Sequence, residues 1–153
     1  MPVRIINKQK TVKVSVRGLR RVLEEALAGE LGRPARVNVL LTDDEHIAKM
    51  HLDYMGEAGP TDVLSFELNE EADGDDEALL GEIAVSGDTA GREAARRGTS
   101  AQEELTRYAV HGLLHLVGYD DKTESKRRRM WRRQEQIVKR SMVDVEASRN
   151  SKL

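Results

Sequence analysis

Apolar residues recur along the chain with two periods, and the switch between them marks out its elements. Leu19, Val22, Leu23, Ala26 and Leu27 fall at helical spacing, which predicts a helix from Gly18 to Leu31 ended by Gly32-Arg33-Pro34. Val37 to Leu41 is a short apolar run suited to a strand. Thr42 then reads as the N-cap of a helix from Asp43 to about Tyr54, with Glu45 completing a capping box. Beyond a turn-rich loop at Gly56 to Pro60, Leu64, Phe66 and Leu68 share one face of a strand from Val63 to Leu68. Leu80 to Val85 predicts another strand. Gly87 to Arg97 predicts a helix closed by Gly98. Thr99 or Ser100 caps the next helix, which runs to about Val117, and Thr123 to about Val145 forms the last. Near the start, Pro2 to Ile6 and Thr11 to Val16 both have strand character, the second through alternating Val12, Val14 and Val16. The order β-β-α-β-α-β-β-α-α-α predicts an α+β fold, with one mixed sheet covered by helices. The pattern leaves the pairing order of the strands open.

Length and composition narrow the class. At 153 residues the chain is expected to form one domain over 1–153. It contains no cysteine, so disulfides and thiolate metal or redox sites are excluded and metal ligation falls to His, Asp and Glu. No apolar run reaches the ~18 residues of a membrane span. The basic start, Met1 to Lys10, lacks the apolar core of a signal peptide, so a cytoplasmic location is expected. The net charge of -2 does not itself point to nucleic acid, but the charge is segregated. Glu70 to Glu77 holds six acids in eight residues and reads as an acidic loop at about 69–78. Lys122 to Arg140 holds nine Lys or Arg against two Glu on a predicted helix. That run is either a solvated outer face or a patch facing phosphates.

The strongest chemical signal is His111-Gly-Leu-Leu-His115-Leu-Val-Gly118-Tyr-Asp120-Asp121. Leu105, Ala109, Leu113 and Val117 recur at helical spacing, so the two histidines sit at i and i+4 on a largely buried helix. Their Cβ atoms should lie about 5–6 Å apart, close enough for both rings to reach one ion. Gly118 can reverse the chain at the helix end, which lets Asp121, six residues after His115, supply a third ligand. Three protein ligands would leave an open position on zinc, as catalytic sites require. The spacing also matches the HExxHxxGxx(H/D) metallopeptidases, but Gly112 stands where they need a Glu base. His46 and His51, at i and i+5, are expected on the surface.

The block from His111 to Asp120 resembles the signature of the YbeY family of metal-dependent endoribonucleases. Pro60-Thr-Asp-Val-Leu-Ser-Phe66 is similar to the family's other hallmark, and Leu80-Gly-Glu-Ile-Ala-Val-Ser86 to the strand before its third helix. The resemblance covers roughly residues 35–140. It implies a small α+β domain with one zinc-type site, acting in ribosomal RNA maturation and ribosome quality control. The implied partners are RNA, in particular ribosomal RNA and the small ribosomal subunit, with neither membrane nor DNA. The family pattern provides three His ligands, of which the first two map onto His111 and His115. Two departures stand out. The family's Gly-Tyr-Asp-His is Gly118-Tyr119-Asp120-Asp121 here, and the Arg that follows the Tyr before the Pro-Thr-Asp block is replaced by Met55 after Tyr54. Arg92, Arg96 and Arg97 are candidates to stand in for that Arg.

The reading that follows is one Zn2+ per chain on His111, His115 and Asp121. Its bound water, rather than a side chain, would attack single-stranded RNA. Arg128, Arg129, Arg132 and Arg133 are the expected RNA-backbone contacts, and Met130, Trp131, Ile137 and Val138 the residues docking that helix on the core. Trp131 could stack a base, but at a core spacing it is expected to pack. Asp62 is either an acceptor that orients a ligand histidine or a cap for the turn before its strand. The departures at Met55 and Asp121 keep open an alternative, a weakly active or non-catalytic ribosome- or RNA-binding factor with a structural metal.

Overall fold

A computed structural model describes residues 2–56, 62–70 and 78–150. The elements run β1 (Val3–Asn7), α1 (Val16–Glu30), β2 (Ala35–Thr42), α2 (Asp44–Met55), β3 (Val63–Glu70), β4 (Ala78–Ser86), α3 (Gly87–Arg97), α4 (Ala101–Leu116) and α5 (Glu124–Asn150). The sheet is mixed, in the order β1-β2-β4-β3. β1, β2 and β4 are parallel, and β3 returns antiparallel to β4 at the edge. The fold is α+β, as the pattern of elements predicts. Apart from Glu70, the acidic run lies outside the described residues. No helix among the described residues is long and apolar enough to cross a membrane.

One predicted strand does not form. Residues 8–15 join β1 to α1 as irregular chain, and the buried amide of Gln9 takes the place of a strand partner. Its Oε1 accepts from the backbone N–H of Thr11 (3.1 Å) and Val12 (3.0 Å), and its Nε2 donates to the Val12 carbonyl (2.9 Å). Ser15 then caps α1, its Oγ accepting from Gly18 N–H at 3.0 Å. Val12 and Val14 still pack on the core, so their alternation reported burial rather than pairing. A cap also moves by one residue. Thr42 ends β2, and Asp43 caps α2 by accepting from His46 N–H at 2.8 Å.

α1, α4 and α5 cover one face of the sheet and share its main core, built on Leu19, Leu23, Val37, Leu41, Ile83, Leu105 and Leu113. A smaller cluster of Ile47, Leu64 and Ala84 joins α2 to the opposite face, with Met50 and Phe66 beside it. Two glycines set how closely α4 lies on the strands. A Cβ on Gly112 would meet Ile83 Cγ2 at 2.8 Å and Ser65 Oγ at 2.9 Å. One on Gly81 would stand 2.2 Å from the Phe66 carbonyl and 2.7 Å from Leu116. Gly112, between the two histidines, is therefore fixed by packing.

Candidate metal centre

α4 begins at Ser100, whose Oγ accepts from Glu103 N–H at 3.1 Å, and buries Leu105, Ala109 and Leu113 against the sheet. That face fixes the helix rotation and brings Glu104, Arg107, His111 and His115 into one stripe toward α5. The imidazoles of His111 and His115 are 4.8 Å apart between centroids, edge to face. Both are half-buried. Burial, and then the neighbouring His111, hold His115 below the ordinary histidine range, although Asp121 and a backbone hydrogen bond at Tyr119 oppose them. His115 therefore favours its neutral ring, the state in which imidazole binds a metal.

A hydrogen-bonded chain behind His111 selects its tautomer. Arg107 forms a fork on Glu135, with Nε to Oε2 at 2.9 Å and Nη2 to Oε1 at 3.0 Å. Burial raises the Glu135 carboxyl, but the hydrogen bonds and charge of Arg107 more than offset this and leave it below its usual range. An ionised carboxylate only accepts, so Gln134 Nε2 donates to Glu135 Oε2 at 3.0 Å. Gln134 Oε1 then faces His111 Nδ1 at 2.8 Å. Nδ1 must carry the proton, leaving the Nε2 lone pair for an ion. Arg107 also holds Glu104, through Nη1 at 2.9 Å from each oxygen, and Glu104 is fully buried.

After α4 the chain reverses at Gly118, whose φ of 113° suits a residue without Cβ, with Tyr119 N–H donating to the Leu114 carbonyl at 2.9 Å. Tyr119 Oη donates to Glu30 Oε2 at 3.0 Å, and Arg133 pairs with the other oxygen of Glu30. α1, α5 and the loop are thereby tied together. Asp120 Oδ1 accepts from Lys122 N–H at 3.0 Å, and its Oδ2 is 3.5 Å from Lys126. Asp121 is exposed and near enough for its charge to act on His115. Among the described residues no three His, Asp or Glu side chains already converge as a metal cluster. The donor set fits a divalent ion at the two imidazoles, with the third position depending on Asp121 turning inward.

The basic residues of α5 divide. Arg133 is held by Glu30, and Arg128 by Glu124 at 3.8 Å. Lys126 and Arg129 line a cavity of about 370 Å³ beside Gly118, Tyr119 and Asp120. Arg132 is exposed. Met130 and Val138 are buried as expected, and Ile137 packs against the core. Trp131 departs from the expectation of core packing. It is 61% exposed, because Met130 occupies the adjacent inward position. The Asp62 carbonyl accepts from Ser86 N–H at 3.0 Å, and its charge contributes at Tyr108, whose hydroxyl burial pushes up to about 12. Tyr54 and Met55 are exposed, Tyr54 lying edge-on to Phe66 with centroids 5.3 Å apart. Arg92, Arg96 and Arg97 each pair with an acid: Asp44 at 2.7 Å, Glu93 at 2.6 Å and Glu104 at 3.4 Å. Motif reading missed Gln134, Glu135 and Arg107. The available signal was a Glu and an Arg at i and i+3 on the inward side of an otherwise apolar helix.

Comparison with known proteins finds one family throughout. A sequence model described as endoribonuclease YbeY matches residues 4–142. An endoribonuclease YbeY from Pelotomaculum thermopropionicum is 40% identical over 147 residues, covering 92% of this chain and 97% of the relative. One from Geobacillus thermodenitrificans is 42% identical over 130 residues, covering 80% of this chain and 83% of the relative. The solution structure of TM1509 from Thermotoga maritima superposes with a TM-score of 0.69 at 29% identity, covering 95% of this chain and 93% of that one.

Proposed function

The chain belongs to the YbeY family of endoribonucleases, and from that premise we propose that it hydrolyses single-stranded RNA at one zinc ion held by His111, His115 and Asp121. The observation that carries the reading is the histidine pair, its rings 4.8 Å apart between centroids and with His111 Nε2 left free by Gln134. A divalent ion bound there would polarise a phosphoryl oxygen and supply hydroxide from water near neutral pH. The protein's own part is positioning. Gln134 keeps the proton on His111 Nδ1, and Gly118 frees the loop to bring Asp121 toward His115. Lys126 and Arg129, beside that loop, hold the RNA backbone on one side of the scissile bond, and Arg128 and Arg132 extend the basic track. The biological setting we infer is cytoplasmic maturation of ribosomal RNA and quality control of ribosomes, with the small ribosomal subunit as partner.

Elemental analysis of the purified chain, together with cleavage of single- and double-stranded RNA with and without chelator, tests this. Zinc near one equivalent and chelator-sensitive cleavage confined to single strands are expected. Chelator-insensitive cleavage would overturn the metal reading. A second reading is favoured by the outward Asp121 and by the acids that hold Arg92, Arg96 and Arg97. In it the chain binds ribosomal RNA with little turnover, and metal-loaded protein would bind RNA without cutting it.

A further inference from the structure

α4 and α5 meet antiparallel, joined by a short loop, and their facing stripes pair rung by rung. Arg107 meets Glu135, and His111, one turn later on α4, meets Gln134. The next rung has His115 on α4. On α5 the stripe continues to Trp131, which precedes Gln134 by three residues and Glu135 by four. The first rungs are closed by hydrogen bonds, but Trp131 lies exposed beyond them. Trp131 is 61% exposed, and helical side chains lean toward the N-terminus, which on α5 is the end joined to the loop after His115.

Its neighbours are cations. Arg127 and Arg128, one turn earlier on that stripe, are exposed, as is Arg132. A single exposed apolar residue needs no explanation by itself. Here, however, the largest side chain of the chain is exposed among arginines, one turn before the Gln134 that holds His111. Single-strand nucleic-acid sites combine these parts: cations follow the backbone, and an aromatic face stacks a base regardless of its identity. We propose that Trp131 forms a nucleobase-stacking site for a nucleotide of single-stranded RNA next to the one at the histidine pair. The proposal rests on the RNA reading and assigns Trp131 binding, without any part in bond cleavage.

Trp131 is the sole tryptophan, so intrinsic fluorescence reports this site alone. The intact protein is titrated in chelator with a short single-stranded RNA, with an abasic oligonucleotide of equal charge, and with polyglutamate. The RNA should quench Trp131 emission, and the abasic strand should bind more weakly and quench little. Trp131→Ala, read by anisotropy of labelled RNA, should bind roughly tenfold more weakly with an unchanged salt slope, and Trp131→Phe should keep most of the affinity. RNA binding with unaltered emission, or equal affinity of Trp131→Ala, overturns the stacking site while leaving the RNA reading intact. Equal quenching by polyglutamate also overturns it and marks a protein-facing surface. Failure of every RNA to bind overturns both.

Discussion

Replacing Arg107 with Met tests whether the ion network behind the histidines holds α5 in place. Arg107 is 11% exposed and carries Glu104, which is fully buried, and Glu135, which is 9% exposed. Met keeps much of the volume and removes the charge, leaving two buried carboxylates without their main partner. Breaking a buried pair from one side costs about 3–5 kcal/mol, because the remaining charge stays desolvated. Arg97, at 3.4 Å from Glu104, and Thr99, whose hydroxyl donates to it at 2.8 Å, keep the loss toward the lower end. A chain of this length loses roughly 2–4 °C per kcal/mol, so the melting temperature should fall by roughly 6–20 °C. Calorimetry and urea denaturation measure it. The pH dependence should also change sign at Glu135. In the parent its carboxyl lies below the usual range, so its stabilisation is present above the unfolded value of about 4.3 and is lost as pH falls through the folded value. Without Arg107, burial acts largely alone and raises that carboxyl, so lowering pH from about 7 to 5 should bring the variant closer to the parent. Replacing Glu104 and Glu135 with Gln as well should recover much of the loss. A single-variant loss below about 1 kcal/mol, with no narrowing at pH 5, would show that water screens the network.

Three further outcomes follow from the site. Asp121→Ala should weaken zinc binding, measured against a chromophoric chelator, more than Asp120→Ala does, because Asp120 is occupied by Lys122 N–H and Lys126; Asp121→His should tighten it, and equal affinities would remove Asp121 from the site. Gln134→Leu should let His111 populate both tautomers, visible in ¹⁵N spectra of metal-free protein, and weaken zinc binding by roughly 10–100-fold, whereas Gln134→Glu should retain the Nδ1 proton; an unchanged spectrum in Gln134→Leu counts against the relay. Arg129→Ala should lower the salt slope of RNA binding by about 1, whereas Arg133→Ala should chiefly lower thermal stability because Arg133 is spent on Glu30; the reverse pattern would move the RNA path to the α1 side.

Much of the fold was legible because burial and period coincide where an element has one dry face. β2, α1 and α3 follow their apolar spacing, and Gly98 ends α3 in the left-handed conformation that its position suggested. Thr11 to Val16 misled because alternation records which residues touch the core and is silent on what satisfies the backbone. The amide of Gln9, outside the run, answered that question. The histidine pair was legible because i, i+4 spacing on a helix fixes two side chains regardless of context. The orientation of Asp121, which is exposed, was not, since it follows a glycine reversal and its direction depends on loop torsions that spacing does not set. Gln134 and Glu135 were hidden for a related reason: a polar residue on an inward face looks like a solvated one until its partner on another helix is known.

Trp131 shows most clearly where helical periodicity stops being informative. Met130 and Trp131 are both apolar and one position apart, so either can be aligned with Ile137 and Val138 as a core residue. The antiparallel partner decides between them. α4 buries the Met130 side, and its polar stripe, from Glu104 through His115, runs beside the Gln134, Glu135 and Trp131 side. That stripe is closed at the Arg107 end by a charged fork and open at the His115 end. The closed end sets the separation of the helices, and with it the rotamer and tautomer of His111. An exposed indole among guanidinium groups, on the helix that holds His111, is suited to an extended polyanion carrying flat bases. On the proposed RNA reading, the exposed tryptophan therefore belongs to the binding surface rather than to the core.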